Sequence, residues 1–389
     1  MAWSLPPAAA GDVVLVTGGA GYVGAHTCEA LSAAGYRPIV LDDLSTGRRD
    51  FVRWGPLVVG DVGDAEAVRR LLVAHRIGAV LHFAASSVVP ESVGAPLAYY
   101  RNNVGGLLGL LEGMRLAGVD RLVFSSTCAV YGEAGAAPIR ETHPLAPVTP
   151  YGRSKLTCEQ ILADASAAHG LNVVVLRYFN AGGASPCGWI GEDRPVETHL
   201  IPRAILAHQG RLADFAIHGA DYDTPDGTAI RDYVHVCDLA KGHRMALAQL
   251  AAGRRGFGVY NLGSGAGRSV RQVLQAVARQ AGQSPIAATG ARRPGDPACL
   301  LADAGLAKRE LGFRADASDL DSIVADAWAW RSRLSAVPAS GGAATPSAFP
   351  AAGLRISAAP ACGAPGPRPS AHGPARPDAD GGRADGRWG

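Results

Sequence analysis

Asp12-Val-Val-Leu-Val-Thr17-Gly18-Gly19-Ala20-Gly21-Tyr22-Val23-Gly24 is the stretch whose reading decides the fold. Residues 12–17 form a short apolar run of β-branched type, which predicts a buried strand. The glycines then mark a strand-to-helix turn. Gly18 suits a tight turn, Gly21 lets backbone amides approach a pyrophosphate, and Gly24 lets the next helix pack closely on the strand. Tyr22 and Val23 open that helix, predicted over 21–34. Its first N–H groups and partial positive charge favour an anion.

Outward from the turn the rhythm repeats. Strands are predicted at 37–41, 57–59, 79–83, 122–125 and 173–177, and helical periodicity runs over 64–75, 96–117 and 151–168. Apolar strands alternating with helices imply a Rossmann-type doubly wound parallel sheet with ligands at the carboxyl ends of its strands. Asp42 ends the second strand, where a carboxylate accepts from both ribose hydroxyls of an adenosine. Asp43 adds negative charge that opposes a 2′-phosphate, so the pattern favours NAD over NADP. Leu44 belongs to the same loop, and Asp61-Val62, after the third strand, flanks the adenine.

After about residue 180 the alternation breaks into Gly-, Pro- and Asp-rich loops with short elements. The organisation expected is a nucleotide-binding domain over 1–180, its first ten residues disordered. A smaller mixed α/β substrate lobe follows over 181–335, with some segments returning to the first domain. Residues 336–389 hold nine prolines, repeated Ala, Gly and Ser, and few aliphatic residues. That tail is expected to be disordered, because it cannot bury enough apolar surface to offset chain entropy.

Composition removes several classes of function. A formal net charge of +3 with both signs interspersed gives no nucleic-acid or anionic-membrane signal. The seven cysteines are spread singly with no CxxC pair, which argues against a disulfide framework and a zinc site and suits a reducing cytoplasm. No signal peptide and no 18-residue apolar run occurs, so no membrane role is expected and no metal is called for.

Tyr151-Gly152-Arg153-Ser154-Lys155 puts a tyrosine and a lysine four apart at the start of a predicted helix, on one face. A phenol of pKa about 10 is a poor base at neutral pH. A nearby ammonium and an oxidised nicotinamide lower it, and the lysine can also donate to the nicotinamide ribose. Lys155 is one of only three lysines in the chain. The preceding strand ends in Ser125-Ser126-Thr127, where ligands gather. Thr127 can share a proton with Tyr151 and a substrate hydroxyl, whereas Ser125 is read as satisfying strand-end backbone groups.

In this order, TGxxGxxG, a strand-terminal Ser/Thr and YxxxK resemble the extended short-chain dehydrogenase/reductase family. Finer motifs are similar to its UDP-glucose 4-epimerases: Gly19–His26, His82–Ala85, Asn102–Val104, Ser125–Gly132, Pro150–Lys155, Leu176–Asn180, Arg231–Val236, Tyr260–Gly263 and Arg292–Asp296. The resemblance implies a redox-neutral 4-epimerisation of a UDP-sugar through a 4-keto intermediate, with tightly held NAD. It further implies that Phe83, Ala84, Ala85, Ser87, Asn102 and Phe179 line the cofactor site. Asn180, His199 and Leu200 contact the nucleotide sugar, Arg231 and Arg293 hold its diphosphate, and Asp296 takes the uridine ribose. A homodimer through helices 96–117 and 151–168 is implied as well.

Three departures bear on specificity. Ser87 replaces a lysine found in some members, which leaves Lys155 as the main local cation. His199 replaces a substrate-contacting asparagine. Leu300 takes the position that gates the sugar's 2-substituent, where tyrosine restricts and small residues admit N-acetyl sugars. UDP-pentose and UDP-uronate epimerisation stay open as alternatives. A dehydratase is disfavoured because Cys128-Ala129 supplies no acid pair after Thr127. A non-catalytic sensor would have no use for Thr127, Tyr151 and Lys155 together.

Overall fold

A strand buried on both faces has no water for its N–H and C=O groups, so it must find strand neighbours on each side. The computed structural model describes residues 13–336 apart from 136, 287, 294 and 295, and the expectations for the first ten residues and for 337–389 lie outside that range. The first half runs β1 (Val13–Thr17), α1 (Tyr22–Ala33), β2 (Arg37–Asp42), β3 (Leu57–Val59), α2 (Ala65–Ala74) and β4 (Ala79–His82). It continues through α3 (Val89–Gly94), α4 (Pro96–Tyr99), α5 (Gly106–Ala117), β5 (Arg121–Thr127), α6 (Pro150–His169) and β6 (Asn172–Tyr178). Helix 96–117 is interrupted by a π turn at Tyr100–Gly105.

Later elements are β7 (Asn180–Gly182), α7 (Leu200–His208), β8 (Ile217–His218), β9 (Ile230–His235), α8 (Val236–Ala251) and β10 (Phe257–Leu262). The last are β11 (Gly267–Ser269), α9 (Val270–Ala281), β12 (Thr289–Gly290), β13 (Cys299–Leu300), α10 (Gly305–Glu310) and α11 (Leu320–Ala336).

Seven strands pair in the order β10-β6-β5-β4-β1-β2-β3, all parallel. This is the doubly wound sheet the alternation predicts. Its direction of progression reverses between β1 and β4, which opens a crevice beyond their carboxyl ends. Successive side chains go to opposite faces. Val14, Val16, Leu81, Val123 and Val174 pack on one face with Leu31 of α1 and Leu247 of α8. Leu15, Val80, Leu122, Phe124 and Val175 pack on the other with Leu72 of α2, Leu110 of α5 and Leu162 of α6.

A second sheet centres on β9, which pairs with β11, β13 and β7. It shares a core with α7, α9 and α11 through Ile201, Ile205, Val277 and Ile323. Helix α8 and strand β10 return to the first sheet, beside β6. We propose residue 180 as the lobe boundary, because β6 ends at Tyr178 and β7 joins the second sheet at Asn180.

Helix α6, which carries Tyr151 and Lys155, is fixed at both ends and in the middle. Thr149 accepts from Gly152 N at 3.2 Å, Pro150 starts the helix, and Gly170 ends it in the left-handed region at φ 71°. In the middle, Glu159 meets Arg177 of β6, each 4% exposed. Arg177 Nε donates to both Glu159 oxygens at 3.0 and 3.1 Å, and Nη2 donates at 2.5 Å. Ser126 Oγ also donates to Glu159 at 2.5 Å, and Arg177 Nη1 donates to Tyr131 at 3.0 Å. Removing one partner strands a buried charge. Arg177→Ala is expected to lose about 3–5 kcal/mol of stability, read from urea unfolding; a midpoint unchanged from wild type would show that the pair is not structural.

Candidate active site

The glycine turn leaves no room for side chains. Gly18 has φ 70°, and a Cβ there would lie 2.5 Å from the backbone nitrogen of Ala84. A Cβ on Gly24 would lie 2.3 Å from the carbonyl oxygen of Gly18. The turn therefore presses the β4 loop, Phe83 to Ala85, against the start of α1. Gly21 caps α1 with no side-chain acceptor, so the amides of the first turn suit an anionic ligand. Tyr22 leaves the turn sideways, and its hydroxyl donates to Gly183 O at 2.6 Å. Val23 packs against the sheet core.

Asp42 is buried at the end of β2. Its Oδ2 accepts from Ala20 N at 2.9 Å and its Oδ1 from Leu44 N at 2.9 Å. Burial pushes its carboxyl up and those two amides oppose the shift. Leu44 itself takes φ 61° to place its amide there. Asp43 and Asp61 each use one carboxylate oxygen within their own loops: Asp43 Oδ1 accepts from Ser45 N and Oγ, and Oδ1 of exposed Asp61 accepts from Gly63 N. Val62 packs toward α5.

Asn102 is exposed and donates to Ser86 Oγ at 3.1 Å. Its neighbour Asn103 is the buried anchor that the sequence reading missed. Asn103 Oδ1 accepts from Ser86 N at 2.8 Å and its Nδ2 donates to Ser154 Oγ at 3.0 Å, joining the β4 loop to α6. Ser87 is exposed beyond this junction. Phe83 packs on His243 of α8 with ring centroids 4.6 Å apart. Phe179 is buried with Val130 and Tyr131, and Leu300 packs against the same cluster.

At the end of β5 the Thr127 hydroxyl lies beside the Tyr151 phenol and favours its ionised form, and it accepts from Ala129 N at 3.1 Å. The sequence-predicted pair is thus brought together. Burial pushes the Tyr151 phenol well up, the phenol of Tyr178 adds to this, and Thr127 opposes it. Lys155 behaves differently from the expectation that its ammonium acts on the phenol. Its Nζ donates to Ser125 O at 2.9 Å and lies 4.8 Å from the centre of the Phe124 ring, and burial lowers it to about 8. Spacing of four put both residues on one helical face, but the buried stem of Lys155 runs down to the strand. Ser125, read as a strand-end filler, accepts that ammonium on its carbonyl and pairs its hydroxyl with Tyr178 at 2.7 Å.

Across the cleft, Arg231 of β9 forms an ion pair with Asp296 and donates to Ile230 O at 2.7 Å. Leu300 lies opposite Arg231 in the β13–β9 register. Arg293 is exposed, and its carbonyl accepts from Asp296 N at 3.2 Å. Asn180 pairs with Tyr233 in the β7–β9 register. His199 caps α7, just before Leu200, with Nδ1 2.6 Å from Glu192 Oε1; that carboxylate holds the imidazole above its ordinary value.

Residues 14–263 match the NAD dependent epimerase/dehydratase family. The chain belongs to that family. UDP-glucose 4-epimerase of Azospirillum brasilense is 51% identical over 329 residues, covering 84% of this chain and 94% of that one. The solved structure of UDP-glucose 4-epimerase from Brucella ovis in complex with NAD matches with a TM-score of 0.79 at 48% identity, covering 82% of this chain and 97% of that one. The enzyme from Bifidobacterium longum in complex with NAD+ and UDP matches at 0.78 and 39% identity, with 82% and 98% covered.

The family's cofactor fits the residues present. Gly18 and Gly24 admit no Cβ, and Asp42 is held by two amides with lone pairs left for ribose hydroxyls. In this epimerase/dehydratase, Asp42→Asn replaces an ionised acceptor by a weaker one that also donates. Hydrogen bonds to charged groups contribute about 1.5–3 kcal/mol. The variant is expected to retain NAD roughly 10- to 100-fold less tightly, measured as nicotinamide nucleotide released on dilution; wild-type retention would remove Asp42 from the cofactor site.

Proposed function

We propose that the chain is an NAD-dependent UDP-sugar 4-epimerase that interconverts UDP-glucose and UDP-galactose. The observation that carries this reading is the Thr127 hydroxyl beside the buried Tyr151 phenol at the carboxyl edge of the nucleotide sheet. NAD, which the turn at Gly18 and Gly24 and the carboxylate of Asp42 would hold, would supply a reversible hydride acceptor for carbon 4, so that the reaction would be redox-neutral overall.

The chain supplies proton transfer and binding. Tyr151, as phenolate, removes the proton of the 4-hydroxyl, and Thr127 shares it. A buried Lys155 lowered to about 8 can turn its donors to the nicotinamide ribose. Arg231 and Arg293 suit the diphosphate as fixed guanidinium forks, and Asp296 suits the uridine ribose. Asn180, His199 and Leu200 border the sugar. Binding energy then rests on UDP, which leaves the hexose loose enough to present either face.

A cytoplasmic homodimer completes the reading. Cys28, Cys128, Cys158 and Cys237 carry free thiols, and no helix among the described residues is long and apolar enough to cross a membrane. Leu97 of α4 and Leu108 and Leu116 of α5 are exposed on the segment expected to pair. Sedimentation of the purified protein is expected to give twice the chain mass, and a monomer would remove the dimer from this account.

Tyr151→Phe is expected to lower turnover at least about 100-fold, the scale of losing a general base, with near-normal turnover ending the proposal. Incubation with UDP-glucose, UDP-N-acetylglucosamine, UDP-xylose and UDP-glucuronate separately, without added NAD, tests the substrate. Conversion of UDP-glucose with partial conversion of the N-acetyl sugar is expected, because Leu300 is intermediate in size. No turnover of the N-acetyl sugar by a preparation active on UDP-glucose would refute the Leu300 argument, and preference for the pentose or uronate would reassign the enzyme.

A further inference from the structure

Asp42 and the glycine turn belong to the first lobe, yet the segment that leaves Asp42 is tied by charge to the second. We propose that Arg48 is a positioning residue for the dinucleotide: paired with Asp193, it straps residues 43–51 against the glycine turn and so slows the release of NAD. The proposal rests on the reading of Asp42 as the acceptor for the adenosine ribose.

The strap is fastened at three points. The first is the turn itself, where Ala20 is held twice. Its N–H donates to Asp42 Oδ2 at 2.9 Å, and its carbonyl accepts from Arg48 N at 2.9 Å. Beside these bonds Gly47 comes so close that a Cβ on it would lie 2.8 Å from Asp42 Oδ1 and 2.9 Å from Ala20 Cβ. Backbone at 47 and 48 thus walls the carboxylate on one side. With that wall in place Asp42 is 7% exposed, and its departure would open the carboxylate to water.

The second point is the Arg48 side chain, which reaches the other lobe. Its Nη1 donates to Asp193, while Nε and Nη2 hold Asp50 in a fork at 3.0 and 2.8 Å. Asp193 lies just after the antiparallel bridge between Ala184 and Gly191, and its other oxygen accepts from Nη1 of buried Arg331 in α11 at 3.3 Å. Arg331 pairs in turn with Glu197, whose Oε1 accepts from Thr198 N and His199 N at 3.0 and 3.2 Å, at the start of α7. The anchor is therefore no loose surface carboxylate. It is built into the lobe that carries the sugar-side residues.

The third point lies further along the segment. Phe51 is buried with Ala25 of α1, Ala184, Ile190 and Trp330, its ring centroid 5.7 Å from that of Trp330. The Arg53 guanidinium lies 4.5 Å from the centre of the Trp189 ring. These contacts hold the far end, whereas Arg48–Asp193 is the inter-lobe tie nearest Asp42. With 35% and 23% of the two side chains exposed, solvent screens the pair, so its effect is modest. Asp193→Asn leaves Arg48 with Asp50 and Arg331 with Glu197, so it strands no charge.

The test follows nicotinamide nucleotide released after dilution of the purified holoenzyme, for wild type, Arg48→Met, Arg48→Lys, Asp193→Asn and the Arg48→Met/Asp193→Asn double variant. Release is expected to be about three- to fivefold faster in Arg48→Met and in Asp193→Asn, the scale of a partly exposed ion pair. The double variant is expected to match either single one, because the two share one contact. Arg48→Lys keeps a cation within reach and stays within about twofold of wild type. Wild-type release from both single variants overturns the proposal. So does a double variant whose effect is the product of the singles, which is the mark of two separate structural loosenings. If Arg48→Met is insoluble, Asp193→Asn alone decides, and unchanged release from it overturns the proposal. Fast release from Asp42→Asn beside tight Arg48→Met and Asp193→Asn fails the strap alone. Wild-type release from all three removes Asp42 from the cofactor site and this proposal with it.

Discussion

The ion pair between Glu159 and Arg177 is the constraint on which the site depends. The proposed proton transfer needs the Tyr151 hydroxyl held beside Thr127, yet the two come from different elements, α6 and β5. Helix α6 could slide or roll over an apolar sheet face with little penalty, because dispersion and burial are non-directional. A bidentate carboxylate–guanidinium contact is directional. Ser126, adjacent to Thr127, bonds the same carboxylate, so one buried charge registers helix and strand together. Tyr131, beyond the turn after β5, joins through Arg177 and continues to Asn261 of β10 at 2.7 Å.

A second tie works at the other edge of α6. Asn103 holds Ser154, one residue before Lys155, and through Ser86 it holds the loop that presses on the glycine turn. The cofactor cradle and the catalytic helix therefore share a hydrogen-bonded seam. Buried amides and hydroxyls of this kind must all be paired, which makes the seam stiff. The sugar end is built differently: Arg231, Asp296 and Leu300 come from a separate sheet, with Arg293 exposed at its border.

What could be read in the sequence follows from this division. The glycine turn, Asp42 and the Thr127–Tyr151 pair are written in local spacing, because each sits at the end of a regular strand or the start of a helix whose period is visible. The direction of the Lys155 stem was not legible. Helical spacing fixes a face but not whether a long side chain runs inward or outward, and burial against Phe124 decided it. Asp43 and Asp61 each accept from an amide two residues on in their own loops, a local contact that the sequence pattern does not display. Asn103 lay hidden beside the more conspicuous Asn102.

Strand β10 has a bearing on how such a chain emerges from the ribosome. Strand β6 is nearly all buried, yet its outer edge is covered by residues 257–262 from beyond the second lobe's β9. At typical elongation rates of about 5–20 residues per second, that edge stays open for roughly 4–16 s after Tyr178 is made. Through that interval it offers unpaired amides and carbonyls to any other extended segment. The first lobe completes its sheet only when residues 257–262 have been made, so a chain cut at the lobe boundary would leave the edge of β6 unpaired.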